Sequence, residues 1–276
     1  MTPFWLIRAS LTLAALLVFQ LIAGAQEKPR ALEIKVLNDD WGGAPPSNIR
    51  AVCLSVANEL RKFVPNRDFD PITIGRSKSV PIVIYGKSTK GERRVKLNVT
   101  GTTWAQFSYQ FGHEFGHILC NYRPAKNPNI WFEESMCETA AIFAIRRMAK
   151  SWRERPPYAN WKSYSGALMD YANQYTRVVP KVEAGKFAAW YQKNEGLLRK
   201  FDRPSFSVVA VHVLLPLLEA SPKNWKALDW LNQWDANREL TFPEYLADWH
   251  RRVPAAHKPF VADIARAFNI AMPKPK

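Results

Sequence analysis

Two histidines and a glutamate lie within five residues of one another in this sequence, as His-Glu-Phe-Gly-His at positions 113–117. The surrounding residues, 104–119, have the apolar spacing of an α-helix. Residues four apart on a helix lie nearly above one another, so His113 and His117 point their imidazoles at one place, as two nitrogen ligands of a zinc ion would require. Glu114 is rotated by about 100° from His113, which lets its carboxylate flank a metal and accept a proton from water.

A solvated helix face that happens to carry two histidines is the alternative interpretation of this segment. Gly116 argues against it, because a glycine inside a helix costs about 1 kcal/mol relative to alanine. A glycine at that position therefore needs a reason, such as the close approach of another backbone or of a substrate.

A catalytic zinc needs at least three protein ligands and an open fourth position. The segment Trp-Phe-Glu-Glu at positions 131–134 opens a second predicted helix after a loop rich in proline and asparagine. Here the chain resembles the gluzincin metallopeptidases, such as thermolysin-like and aminopeptidase-N-like enzymes, in which a glutamate on the next helix, often within Trp-x-x-Glu-Gly, completes the site. The resemblance implies Glu134 as the third ligand, with Glu133 as second choice; Ser135 stands where those enzymes have the glycine.

The resemblance also assigns a supporting acid. Glu138 lies one helical turn beyond Glu134, on the same face, and resembles the acid that fixes a zinc-bound imidazole in thermolysin-like enzymes. A ligating histidine does need an acceptor for its second N–H group. An ordinary surface charge is the alternative for Glu138 and for Glu133.

Peptide hydrolysis also needs a hydrogen-bond donor for the oxyanion, typically worth about 2.7–4 kcal/mol. Gluzincins resemble one another in supplying a tyrosine or histidine for this purpose from the downstream part of the chain. The candidates here are His212, Tyr171, Tyr164 and Tyr175. His212 lies in an apolar helical segment, where a lone histidine is more often a satisfied core residue, so the sequence leaves the donor open.

Strand and helix patterns are distributed unevenly along the chain. Runs at 32–37, 71–75, 80–85 and 95–99 predict strands, whereas residues after 158 predict helices only. The resemblance implies an α+β, zincin-like fold. Its N-terminal lobe, residues 26–128, would hold a small mixed sheet and the active-site helix, and its helical lobe, residues 129–276, would carry the third zinc ligand. In that family one strand beside the cleft pairs with bound peptide, and 95–99 is the candidate.

Residues 1–25 predict a secretory signal peptide, with Arg8, the apolar run 9–23 and a small-x-small cleavage site at Ala23-Gly24-Ala25. We therefore expect an exported protein, periplasmic or secreted. An N-terminal signal anchor is the alternative, although the run is shorter than the about 20 residues of a spanning helix. No other apolar run is expected to span a membrane.

The composition bears on partners and on redox state. The formal net charge of +15 favours acidic partners such as cell-wall polymers, but the basic residues are scattered, which also fits a solvated surface, and no nucleic-acid motif is present. The three cysteines leave at least one thiol unpaired. A Cys120–Cys137 disulfide and buried free thiols are the two alternatives.

These features predict an exported zinc-dependent metallopeptidase, in which Glu114 assists the attack of a zinc-bound water on a peptide bond. A different class is a non-catalytic module that binds cell wall or a partner on a zincin scaffold. A third is a structural zinc site, which would need Cys120 or Cys137 as a fourth ligand.

Overall fold

A four-stranded mixed sheet covers one side of a largely helical protein in the computed structural model, which describes residues 31–272. The strands are β1 (Ile34–Val36), β2 (Ile72–Arg76), β3 (Ile82–Ile84) and β4 (Arg93–Leu97), in the order β1-β2-β4-β3. The first three in this order are parallel, and β3 runs antiparallel to β4. The α+β class and the small mixed sheet predicted from the sequence are therefore confirmed.

The helices occupy most of the remaining chain. Within residues 31–272, the α-helices are α1 (Pro46–Arg61), α2 (Trp104–Leu119), α3 (Ile130–Ser151), α4 (Ser165–Val178), α5 (Phe187–Arg199), α6 (Arg203–Val209), α7 (Leu215–Ala220), α8 (Phe242–Arg252) and α9 (Lys258–Ala267). A π-helical turn, Ala210–Leu214, joins α6 to α7. Three 3₁₀ helices complete the set, at Ala159–Tyr164, Pro222–Trp230 and Ala255–His257.

Helix α3 packs directly along α2, and two glycines make this approach close. A Cβ atom on Gly112 would lie 2.8 Å from Cα of Ala141, and one on Gly116 would lie 2.7 Å from Cα of Cys137. Any larger residue would collide with the α3 backbone. Position 116 is thus occupied by glycine because a second backbone, that of α3, approaches it closely.

The sheet order corrects the prediction that residues 95–99 form the strand beside the cleft. Residues 95–99 contribute to β4, which ends at Leu97 and pairs with β2 on one side and with β3 on the other. A strand with two neighbours has no free edge for a peptide. The edge strand on this side is β3.

All described strands precede residue 98, and all regular elements after residue 129 are helical. The chain from Ala31 onward nevertheless forms one compact unit. A capping box begins α8, where Thr241 and Glu244 exchange hydrogen bonds between side chain and backbone.

The predicted signal peptide, or anchor, lies outside the described residues. Within residues 31–272, one helical stretch, Arg203–Ala220, is long and apolar enough by length and composition to cross a membrane, contrary to the expectation from the sequence. It passes that test because α6, the π-helical turn and α7 run on from one another. Half of the stretch is buried inside the protein, as in a core helix.

Candidate metal centre

The two histidines of α2 meet a carboxylate from α3. Nε2 of His113 lies 3.1 Å from one Glu134 oxygen, and Nε2 of His117 lies 3.6 Å from the other. The two imidazole centroids are 5.1 Å apart. The structure therefore brings together the three side chains that the sequence pattern selected as ligands.

A cysteine lies behind the same imidazoles. Ligand atoms of His113, His117 and Cys137 fall within 4.8 Å of one another, so this group could hold a metal ion. Burial raises the pKa of the Cys137 thiol well above its ordinary value, and a hydrogen bond with Cys120 raises it further. By contrast, although burial opposes it, the hydrogen bond from His113 and the charge of His117 lower the pKa of Glu134. These shifts favour the ionised form of the Glu134 carboxyl and the protonated form of the Cys137 thiol.

Glu133 occupies a position that the sequence interpretation missed. It is buried, and its Oε1 accepts a hydrogen bond from Nδ1 of His117 at 2.7 Å. Its second oxygen accepts from Nδ2 of Asn232 at 2.6 Å, and Oδ1 of Asn232 accepts from the Tyr245 hydroxyl at 2.7 Å. Glu133 thus fixes the orientation of the His117 ring through Nδ1, whereas Glu134 lies near Nε2 of the same ring. Because Glu133 is buried, it is not a surface charge.

Hydrogen bonds to acids also set the charge of His117. Burial alone would lower the pKa of His117, but the hydrogen bond and charge of Glu133 and the charge of Glu134 raise it to about 10. The site therefore favours a positive charge between these carboxylates.

Glu138 is placed differently from the prediction. Its Oε2 accepts hydrogen bonds from Tyr175 and from Ser207, each at 2.7 Å. Its Oε1 and Nδ1 of His113 are both buried without a hydrogen-bond partner. The imidazole-fixing contact predicted for Glu138 is therefore seen at Glu133 instead, while Oε1 of Glu138 and Nδ1 of His113 each remain without a hydrogen bond.

Glu114, the predicted base, is buried beside the two histidines. Burial raises the pKa of its carboxyl above the ordinary value, against the opposing charges of His113 and His117. The backbone amide of Val83, in β3, donates a hydrogen bond to it. A carboxylate held in this way is a stronger base than one in water.

These residues line a cavity of about 710 Å³ between the sheet edge and the downstream helices. One wall is the segment 80–85, which contains β3, and the floor is the exposed face of α2. The opposite wall is formed by Tyr171, Phe201, Arg203 and Phe206. The cavity is thus a cleft that has the candidate metal centre at its base.

The structure separates the candidate oxyanion donors. His212 donates from Nε2 to the Pro180 carbonyl at 2.9 Å and is not among the described residues that line the cleft, so the structure does not bring it to the site. The Tyr164 and Tyr175 hydroxyls are engaged with the Ala105 amide and with Glu138. Tyr171 does line the cleft.

Tyr85 and Arg203 are among the polar side chains that line the cleft and that the sequence interpretation did not select. Tyr85 is the last residue of the predicted strand 80–85. Its place in the cleft could have been predicted from the sequence if β3 had been known to be the edge strand. Arg203 had no such signal, because its place depends on the packing of α6.

The cysteines are free and buried at all three positions. The Cys120–Cys137 disulfide is therefore not formed, and the two thiols are hydrogen-bonded neighbours between α2 and α3. Buried free thiols, the alternative drawn from the sequence, describe this pair.

No model of a known protein family matches the chain, and a search of curated proteins finds no match either. The gluzincin resemblance therefore stays a prediction. The case for a function rests on the contacts described above.

Proposed function

We propose that this protein is an exported zinc-dependent metallopeptidase with a gluzincin-like site on a zincin-like fold. One observation carries the proposal: a carboxylate from α3, Glu134, meets the Nε2 atoms of His113 and His117 on α2, while Glu114 lies alongside. Export rests on the signal-peptide pattern of residues 1–25.

The donor set fits zinc. Two imidazole nitrogens and one ionised carboxylate are the ligands of many catalytic zinc sites, which leave a fourth position open. Nδ1 of His117 donates to Glu133, so Nε2 is the nitrogen with a lone pair for a metal. His113, His117 and Glu134 would hold the zinc ion, which would supply Lewis acidity toward a peptide carbonyl.

Glu114 performs the proton transfers. Its carboxylate accepts the proton of the attacking water and returns it to the leaving amine. The Val83 amide donates a hydrogen bond to that carboxylate, so the orientation of Glu114 is set by β3 as well as by α2. Tyr171 and Arg203 line the cleft from the downstream helices and are the candidate donors to a developing oxyanion.

Within residues 31–272, strand β3 has no neighbouring strand on its outer side, and Ile82, Val83 and Tyr85 line the cleft. The Val83 amide already donates to Glu114 and the Ile84 carbonyl accepts from the Tyr122 hydroxyl. An extended substrate would therefore pair with the remaining main-chain groups of the segment 80–85. Binding through the main chain would leave substrate selection to the side chains of the two walls.

A structural zinc site is the second candidate, because Cys137 lies near both histidines. Such a site would need Cys137 as a thiolate in addition to Glu134, and burial works against that ionisation. A binding module without turnover, for example one that takes acidic wall polymers, has no need of a buried carboxylate at the position of Glu114.

The test is metal analysis of the purified protein followed by digestion of a peptide library, with and without a chelator. We expect about one zinc per chain and cleavage that the chelator abolishes and zinc restores. Glu114→Gln should retain zinc and lose turnover by at least about 100-fold. A Glu114→Gln protein that still cleaves at the wild-type rate would remove Glu114 as the base, and a zinc-loaded wild type without hydrolysis would favour the binding module.

A further inference from the structure

Phe201 occupies a backbone position that usually belongs to glycine. It follows the last residues of α5, where the Phe201 amide donates to the Leu198 carbonyl and the Asp202 amide to the Leu197 carbonyl. This pair of bonds is the Schellman ending of a helix, and its residue at Phe201 has φ +66°. A bulky aromatic residue is unfavourable there, because its Cβ crowds the backbone.

Burial of the ring does not compensate for this strain. Phe201 is 53% exposed, and its ring has an edge-to-face contact with Phe206 at a centroid distance of 5.0 Å. Both rings line the cleft of the candidate metal centre. Strained residues cluster at ligand sites, where the strain is part of how the site is built.

The opposite wall is also apolar and exposed. Of the eight large apolar side chains that are exposed among residues 31–272, four line this cleft: Val80, Ile82, Tyr85 and Phe201. Exposed apolar side chains gathered around one concavity are typical of a ligand site.

The charge in the same wall selects among side chains. Arg203, two residues after Phe201, lines the cleft with 68% of its side chain exposed, and its Nε lies 3.9 Å from Oε1 of the buried Glu138. A lysine or arginine side chain of a peptide would meet the exposed guanidinium of this ion pair, because the paired carboxylate is buried, and like charges repel. A neutral apolar side chain gains from the rings and loses nothing to this charge.

We propose that Phe201 is a specificity-determining residue, which forms a subsite for a large apolar side chain of the substrate, such as leucine, methionine or phenylalanine. The inference rests on the proposed peptidase function. The ring would bury part of the apolar side chain in the cleft, and Phe206 packs edge-to-face against the ring.

Phe201→Gly is the decisive variant, because glycine suits φ +66° and carries no ring. We expect it to raise the KM for peptides with a large apolar residue near the cleaved bond by about tenfold, with kcat little changed. Peptides with a polar residue at that position should be unaffected. Phe201→Tyr, which keeps the ring, should retain the preference.

The same variant separates a functional ring from a structural one. Phe201→Gly should raise the thermal midpoint by about 2–4 °C, because the strained conformation is relieved. Leu197→Ala is the matched control, since Leu197 is similarly exposed in α5 but is outside the cleft lining. A fall in the midpoint of Phe201→Gly together with an unchanged KM would mean that the ring serves packing, and would overturn the inference.

A binding measurement keeps this test apart from the peptidase proposal. Fluorescence anisotropy of labelled leucine-containing and serine-containing peptides on the zinc-free protein should show tighter binding of the leucine peptide, and Phe201→Gly should remove most of that difference. Equal affinities in the wild type and in Phe201→Gly would overturn the subsite. Retained selectivity without any hydrolysis by the zinc-loaded protein would instead leave the subsite in place and defeat the peptidase.

Discussion

Adjacent carboxylates on α3 have different surroundings, and therefore different chemistry. Glu134 faces the Nε2 atoms of both histidines, whereas Glu133, rotated by about 100°, accepts a hydrogen bond from Nδ1 of His117. One carboxylate can hold a metal and the other can orient a ligand. The pair shows why an acid cannot be assigned from its proximity in sequence alone.

Alanine substitutions should separate the two roles. We expect Glu133→Ala to weaken zinc binding by about 10–100-fold, the usual result of losing the partner of a ligating histidine. Glu134→Ala should weaken it further, because a ligand itself is lost. Competition with a chelator of known affinity measures both. A larger loss in Glu133→Ala would reverse the assignment.

The Tyr245 hydroxyl is linked to His117 through two intervening side chains, Asn232 and Glu133. It fixes the Asn232 amide so that Nδ2 points at Glu133, and Tyr245→Phe frees that amide to turn. We expect zinc affinity to fall by less than about tenfold in Tyr245→Phe, and by no more in Glu133→Ala with Tyr245→Phe than in Glu133→Ala alone.

Tyr191→Phe is the control for that cycle, since Tyr191 is also buried but belongs to α5 and not to this chain of hydrogen bonds. It should leave zinc affinity unchanged. Additive losses from Glu133→Ala and Tyr245→Phe would show that Tyr245 acts through general stability instead of through His117.

Helical periodicity was enough to predict that His113 and His117 share one face of α2, because the spacing of side chains on a helix is a local property, whereas Glu134 was selected by the family resemblance. The role of Glu133 was beyond such reasoning. Its partners, Asn232 and Tyr245, come from a distant part of the chain, and no local pattern states that they meet. The place of Arg203 in the cleft was hidden for the same reason.

At the level of elements, the close contact of α2 with α3 determines where Glu134 stands. The helices approach at Gly112 and Gly116, so the turn of α3 that carries Glu134 is drawn toward both histidines. The helices were predictable from apolar spacing and from prolines in the intervening loop. The distance between the two helices was not predictable, although Gly116 inside a helix did indicate a close approach of another backbone or of a substrate.

Gly116→Ala tests this approach. A methyl group 2.7 Å from Cα of Cys137 cannot be accommodated without moving a backbone, so we expect a loss of about 1–3 kcal/mol in the free energy of unfolding. Chemical denaturation of the zinc-free protein measures it. Gly196→Ala is the matched control, because nothing lies within 4 Å of its added Cβ in α5, and alanine should stabilise that helix by up to about 1 kcal/mol. Equal responses of the two variants would contradict a tight contact at Gly116.

Strand order was the least predictable feature of the fold. The β-branched runs at 80–85 and 95–99 were both predicted as strands, but pairing order depends on contacts between segments far apart in sequence. With β4 between β2 and β3, the edge and therefore the cleft belong to β3. The apolar residues of that segment thereby become a candidate substrate surface.

On the scale of the whole molecule, distant segments converge on the end of α2 that follows His117. Arg67 donates to the Ile118 and Leu119 carbonyls and pairs with Asp229. The Asn121 amide donates to carbonyls of the 3₁₀ helix Pro222–Trp230. The end of α2 that carries His117 is therefore held by Arg67, which follows α1, and by the 3₁₀ helix Pro222–Trp230.

Metal binding should therefore stabilise the protein as a whole. A ligand that binds only the folded state adds about 2.7 kcal/mol at a free concentration 100 times its Kd. For a chain of this size, that corresponds to a rise in the thermal midpoint of about 5–10 °C. Zinc should produce this rise in the wild type and in Glu114→Gln, because Glu114 is not a ligand, and a chelator should reverse it. Glu134→Ala, which lacks the carboxylate between the imidazoles, should show little rise at the same zinc concentration. A rise in Glu134→Ala as large as in the wild type would place the metal elsewhere in the protein.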